Sequence, residues 1–338
     1  MMASGKFTLQ SLPNIFSRGH RLSQREYYAY RLHTRGDEAF QTLHRSKRLF
    51  QEFIVDAYAQ TEQNCLRWVR MNQDALRVDL YKGLCDAVAE GADLHDIGQR
   101  RILPASFTGS PQSMYGHYHD SIAIVRHSGK PDLFITITCN PKWLEVQRNL
   151  LLHQTAEDRP DMIVRIFKIK LDALLKDLIY NNVFGKVIAH MYVVEFQKRG
   201  LPHAHILLIL DTAYKPRTPE QVDTIASAEL PDPDMFPELH RIVVSSMLHG
   251  PCGLRNTNAP CMKDGKCSKN FPKPFSEETI LPSDQYPQYR RRENGRTAEK
   301  GGNYFTNQDV VPYNPYLSSK YDCHINVEVA TGHFIIIK

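Results

Sequence analysis

Two histidines separated by one apolar residue, His203 and His205, form the pair in this chain best suited to metal chemistry. They close the segment Glu195-Phe196-Gln197-Lys198-Arg199-Gly200-Leu201-Pro202-His203-Ala204-His205. Pro202 to Leu210 predicts a strand, and alternate strand residues point to one side. Both imidazoles then leave one face while Ala204 leaves the other. Val187 to Phe196 reads as a preceding strand, with Gly200 in the turn between the two, so the pair predicts a β-hairpin. Across that turn, Glu195 can bring a carboxylate to the same face and Gln197 an amide oxygen. Two imidazoles plus an oxygen ligand leave positions for water and substrate oxygens, as catalytic sites do and closed structural sites do not. The plain alternative is two histidines satisfied by hydrogen bonds on a half-buried strand. A zinc hydrolase is another, although the further ligands it needs are not evident downstream.

A second cluster is His249, Cys252, Cys261 and Cys267, spaced H-x₂-C-x₈-C-x₅-C. Thiolates with an imidazole suit tetrahedral Zn²⁺, and Pro251, Gly253, Pro260 and Gly265 supply tight turns. Reduced cysteines in an irregular loop are the alternative. Lys263, Lys266, Lys269 and Lys273 decorate this stretch and are candidates for phosphate contact. Tyr286 and Tyr289 beside Arg290, Arg291 and Arg292 mix rings with cations, as single-stranded DNA prefers; a solvated charged loop competes. Lys198, Arg199, Thr136 and Thr138 complete the candidate DNA contacts. Arg67, Arg70 and Arg77 read as a solvated helix face, with phosphate contact as the alternative.

The elements that must position these residues follow from patterning. The chain has 338 residues, a hydrophobic fraction of 42% and a charged fraction of 23%, which excludes a wholly disordered chain. No apolar run approaches the ~18 residues needed to span a bilayer. Net charge is +5, and residues 249–300 carry ten Lys/Arg against six Asp/Glu, which points to an acidic partner. An odd number of cysteines, four of the seven scattered, and no signal-like apolar core favour a reducing compartment. Residues 22–90 predict helices, 91–120 a loop-rich connector broken by Pro104, Gly109 and Pro111, and 131–139 a buried strand ended by Asn140-Pro141. A helix is predicted over 161–180, with Ile163, Ile166, Phe167, Leu171, Leu174, Leu175 and Leu178 on one face. Residues 211–240 predict a surface excursion, 276–309 a polar loop, and 310–329 strand-like text. Trp143 reads as packing, with stacking on a base as the alternative.

Leu22 to Tyr28, Phe50 to Tyr58, Leu103 to Ser110, Pro131 to Trp143, Glu195 to His205, His249 to Cys252, Cys261 to Cys267 and Val311 to Tyr316 form an ordered series of motifs. In this series the chain resembles the Rep domain of Helitron transposons, also called the Helitron helicase-like domain. That domain is one of the HUH endonucleases, in which two histidines flank an apolar residue. The resemblance implies an α+β fold in which a central antiparallel sheet carries the HUH strand in its middle and helices cover one face. It implies a loose segment at 1–20, a helical region at 21–120, the endonuclease core at 121–248, an insertion at 249–309 and a strand segment at 310–338. It also implies Mg²⁺ or Mn²⁺ on His203, His205 and Glu195 or Gln197, single-stranded DNA as partner, and a nuclear location. A tyrosine attacks the scissile phosphate and stays joined to the 5′ end during rolling-circle transposition.

One departure bears on activity. The family places paired tyrosines soon after text matching His324-Ile325-Asn326-Val327-Glu328, but here no tyrosine follows Tyr321. The family's nucleophile is therefore missing and a chain truncated before the tyrosine helix is expected; Tyr316 of Tyr316-Leu317-Ser318-Ser319-Lys320 is a candidate substitute, with packing and loop anchoring as the alternative. A catalytically dead single-stranded DNA-binding remnant and a water-using metallohydrolase are the competing readings. Every Gly-Lys pair lacks a following Ser or Thr, so the helicase domain of the full-length family protein has no phosphate loop here and no ATPase is expected.

Overall fold

The computed structural model describes residues 22–34, 42–73, 76, 103–197, 200–282 and 286–330. Among these the fold is α+β, with nine α-helices, a four-stranded antiparallel sheet and two two-stranded ribbons. Two compact units divide the chain, residues 1–122 with 149–162 and residues 123–148 with 163–338.

The first unit is helical. Helix α1 (Gln24–Arg31) starts at Ser23, where the Ser23 and Glu26 side chains cap each other's backbone. Helix α2 (Thr42–Arg45) and the long α3 (Arg48–Met71) follow. Phe53 of α3 meets the Tyr28 ring edge-on. Helix α4 (Pro111–Ser128) corrects one expectation. Pro111 opens a helix instead of breaking the chain, because proline is pre-set for a first helical position. Buried Ser110 caps it, accepting a bond from the Ser113 amide at 3.1 Å.

The second unit holds the sheet. In chain order it contains β1 (Leu133–Thr138), α5 (Leu144–Gln147), most of α6 (Pro160–Ile179), β2 (Val187–Phe196), β3 (Pro202–Leu210), α7 (Pro219–Ile225) and α8 (Pro237–Ser246). There follow β4 (Met262–Lys263), β5 (Lys266–Cys267), β6 (Ala298–Lys300), β7 (Asn303–Phe305), α9 (Pro315–Tyr321) and β8 (His324–Val329). The strand order is β2-β3-β1-β8, so the strand carrying both histidines is internal. Strands β1 and β8 alternate throughout, and β3 alternates as far as Leu208. Leu133, Ile135 and Ile137, Ala204, Ile206 and Leu208, and Ile325, Val327 and Val329 are buried. The residues between them, from Phe134 to Glu328, are only half-buried. One side of the sheet is therefore core and the other is reachable. On α6 the expected stripe is buried at Ile163, Phe167, Leu171, Leu174 and Leu178.

Trp143 packs as expected. It is buried, donates from Nε1 to the Tyr321 carbonyl at 2.7 Å, and carries the Lys170 ammonium over its ring.

Two segments taken for surface loop are structured. Residues 211–240 contain α7, opened by a Thr218/Gln221 capping box with Pro219 behind the cap, and the start of α8; Val222, Ile225 and Leu230 are buried. Residues 276–309 contain the β6–β7 hairpin about Gly301-Gly302, and Phe305, Asn307 and Asp309 are buried. Short elements with many polar residues lack the periodicity that marks longer ones, so neither segment was legible in advance.

Arg291, at the centre of the basic run, is also reassigned, while Arg290 stays half-buried and Arg292 exposed. Arg291 is buried, and its Nη1 donates to the carbonyls of Asn307, Val310 and Ala228 at 2.6, 2.7 and 3.3 Å. Arg292 forms a two-pronged pair with Glu229, and Arg290 an ion pair with Asp223 at 3.0 Å. Tyr289 is buried as well, its oxygen accepting from the Val329 amide. Arg291 and Tyr289 are therefore interior structural groups and cannot form a stacking surface for bases.

Candidate metal centre on the open sheet face

Strand pairing assembles the site in three lateral rows. Glu195, His203, Thr138 and His324 form the first, because each pairs with the next across β2, β3, β1 and β8. Val193, His205, Thr136 and Asn326 form the second, and Met191, Leu207, Phe134 and Glu328 the third. Directly opposed residues share a face, so the half-buried side of the sheet carries Glu195 and both histidines together.

Ligand atoms of Glu195, His203 and His205 all lie within 4.8 Å of one another. The Glu195 Oε2 to His203 Nε2 separation is 3.3 Å. Two adjacent ligands on one octahedral ion sit about 3 Å apart, given metal–oxygen bonds of about 2.1 Å, so this spacing fits a shared cation. The His203 and His205 rings meet edge-on at 4.8 Å between centroids. Thr136 Oγ1 lies 2.9 Å from His205 Nδ1, and the Phe134 ring stacks on the same imidazole. With Nδ1 engaged from behind, Nε2 is the nitrogen that could meet a metal ion, and the ring's rotation is fixed. His203 Nδ1 is buried with no hydrogen-bond partner. The reading of both histidines as hydrogen-bond-satisfied core residues does not describe His203.

Gln197 sits one step past β2. Its backbone closes the hairpin turn with Leu201 and Gly200. Gly200 has φ +83°, a turn conformation open to glycine. Glu195 brings a carboxylate oxygen to the histidines. Lys198 and Arg199 lie outside the described residues.

Strand β8 adds side chains that sequence reasoning missed. His324 lies beside Thr138, and its Nδ1 is 2.7 Å from the Ser246 carbonyl. Burial pushes the His324 imidazole below its ordinary pKa. Asn326 donates to Glu328 at 3.0 Å, while its Oδ1 is buried and unpartnered. The alternation in His324-Ile325-Asn326-Val327-Glu328 was the available signal, since it marks a strand with one polar face.

Tyr316 is 50% exposed and pairs with its own helix, accepting from the Lys320 ammonium at 3.2 Å. Lys320 also binds Asp177 of α6. Lys263 and Lys266 are exposed and opposite each other in the β4–β5 ribbon, whose turn residues Asp264 and Gly265 both have positive φ. That is the geometry of an Asp-Gly hairpin turn. His249, Cys252, Cys261 and Cys267 also converge, their ligand atoms lying within 4.8 Å of one another.

These features define a histidine–carboxylate cluster across the edge strand β2 and the internal strand β3 of an antiparallel sheet, open on one side. The model of the Helitron helicase-like domain at the N-terminus matches residues 27–208, which spans more than half of the chain. The chain belongs to that family and is a Helitron-related protein. No curated protein matches it. Among the described residues, no helix is long and apolar enough to cross a membrane.

Thr136 gives the first prediction. Thr136→Val keeps the strand and removes the oxygen behind His205. Mn²⁺ affinity is expected to fall about tenfold, as for other lost ligand-orienting bonds. Isothermal titration measures this, and an unchanged affinity rejects the orienting role.

Proposed function

We propose that this chain is the metal- and DNA-binding core of an HUH-type nuclease that nicks single-stranded DNA and transfers the strand, as in rolling-circle transposition. The observation that carries the reading is the convergence of Glu195, His203 and His205 on the open face of the central sheet. Mg²⁺ or Mn²⁺ held there would polarise the scissile phosphate and stabilise charge developing on it. The protein's own residues do the rest. Glu195 and the two imidazoles supply a hard oxygen and two nitrogen donors, a set that leaves open positions for substrate oxygens. Thr136 and Phe134 hold His205 in one orientation. Thr138, between His203 and His324 in the first row, lines the path beside the site.

The covalent step needs a hydroxyl nucleophile. Its oxygen forms the new bond to phosphorus, its proton is lost, and the 3′ oxygen of the cleaved strand departs. Tyr316 is the candidate within the described residues, exposed and beside Lys320. Single-stranded DNA is the proposed partner, reached through exposed Lys263 and Lys266 as well as the sheet face, and the nucleus is the proposed location.

Labelled single-stranded DNA incubated with Mn²⁺ and the purified chain tests the reading. Cleavage accompanied by a denaturation-resistant protein–DNA adduct is expected, and Tyr316→Phe should abolish the adduct if Tyr316 is the nucleophile. Cleavage without an adduct replaces this reading by a water-using hydrolase. Binding without cleavage replaces it by a DNA-binding remnant.

A further inference from the structure

The segment between His249 and Lys273 poses a stability problem. Its two ends are pinned to one turn, because the His249 amide donates to the Asp309 carbonyl and the Lys273 amide donates to the Gln308 carbonyl. Between those anchors the buried residues are Cys252, Ala259 and Cys267 alone. The regular structure is a ribbon of two residues per strand. Such a segment lacks the apolar burial to hold its own shape, and small units of this kind need a staple.

The structure places a staple's ligands at that point. Cys252 and Cys267 are buried, Cys261 is half-buried, and all three are free thiols. Cys267 Sγ lies 3.3 Å from His249 Nε2. Ligands on a tetrahedral zinc, with Zn–S of about 2.3 Å and Zn–N of about 2.0 Å, lie about 3.5–3.8 Å apart; the four ligand atoms here span at most 4.8 Å. Phe271 stacks on the His249 ring at 4.2 Å and fixes its plane. The Lys269 amide points at Cys267 Sγ at 3.4 Å, the type of bond that supports a thiolate ligand. Gly250 has φ +108°, and a Cβ there would come within 3.1 Å of the Cys252 amide, so the turn between His249 and Cys252 admits only glycine without distortion.

We propose that His249, Cys252, Cys261 and Cys267 bind one structural Zn²⁺ that holds the 249–273 segment folded. With three thiolates and one imidazole the site is closed, so its role is architectural. It is distinct from the Glu195–His203–His205 centre and does not depend on nuclease activity. By folding this segment it sets the position of the exposed Lys263-Lys266 ribbon.

Elemental analysis of protein purified without chelator should find about one zinc per chain. Cys261→Ser should remove most of it, while His203→Ala should retain it. Cobalt exchanged into the site should show the intense visible bands of tetrahedral thiolate coordination. Chelation of the wild-type protein should open residues 253–270 to limited proteolysis, and zinc should restore protection, which avoids relying on a variant that fails to fold. The proposal is overturned by a zinc content near zero, by full zinc in Cys261→Ser, by zinc lost in His203→Ala, or by a disulfide among the three cysteines in freshly purified protein.

Discussion

His203→Ala is expected to abolish Mn²⁺-dependent cleavage and to weaken Mn²⁺ binding by on the order of 100-fold or more. Loss of a bond that only orients a ligand costs about 10–100-fold, so loss of the ligand itself sets a larger effect. His203 lies 3.3 Å from Glu195 and edge-on to His205, so the substitution leaves a carboxylate and one imidazole, too few to hold a hard divalent ion firmly. Single-stranded DNA binding in the absence of metal should persist, since phosphate contacts from lysines are independent of the ion. His205→Ala should behave in the same way. Calorimetric titration with Mn²⁺ beside a cleavage assay measures both quantities. Wild-type affinity in His203→Ala would falsify the metal centre.

The second large effect falls on stability. Arg291→Ala removes a buried guanidinium whose Nη1 serves three carbonyl oxygens, those of Ala228, Asn307 and Val310. Those acceptors come from separate stretches of chain and would lose their donor in a site closed to water. Removing one member of a buried charged network costs about 3–5 kcal/mol. For a domain of this size that lowers the melting temperature by roughly 10 °C. Burial already pushes Arg291 down to about 10. A DNA-contacting arginine would behave oppositely, weakening DNA binding without altering the melt. Thermal unfolding followed by circular dichroism decides, and an unchanged melt would remove Arg291 from the core network.

The same cluster sets an acid response. Burial opposes ionisation of Glu229, but the hydrogen bonds and charge of Arg292 outweigh it and hold the carboxyl below its ordinary value. A lowered folded-state pKa means that the ionised group stabilises the fold above about pH 4, near the unfolded value. That contribution is lost as pH falls through the folded value.

Much of the site's inner geometry was legible in the residues because it is local. Period-two alternation in Pro202 to Leu210 put His203 and His205 on one side, and Gly200 turned the chain so that Glu195 faced them; both follow from strand geometry within a single hairpin. The helix of α6 was equally plain, since its apolar stripe repeats over several turns. The alternation of Thr136 and Thr138 on one strand was enough to set them beside the histidines, but which imidazole each meets, and what β8 adds, was not legible. Thr136 meets His205 from 69 residues away, and Asn326 and Glu328 arrive on β8, so their places depend on long-range strand register. The arginine run shows the same division. Its charge was evident, but its fate depended on Glu229, Asp223 and three distant carbonyls closing around it. Local periodicity determines which face a side chain takes, whereas partners distant in sequence decide whether that face meets solvent, a ligand or the interior.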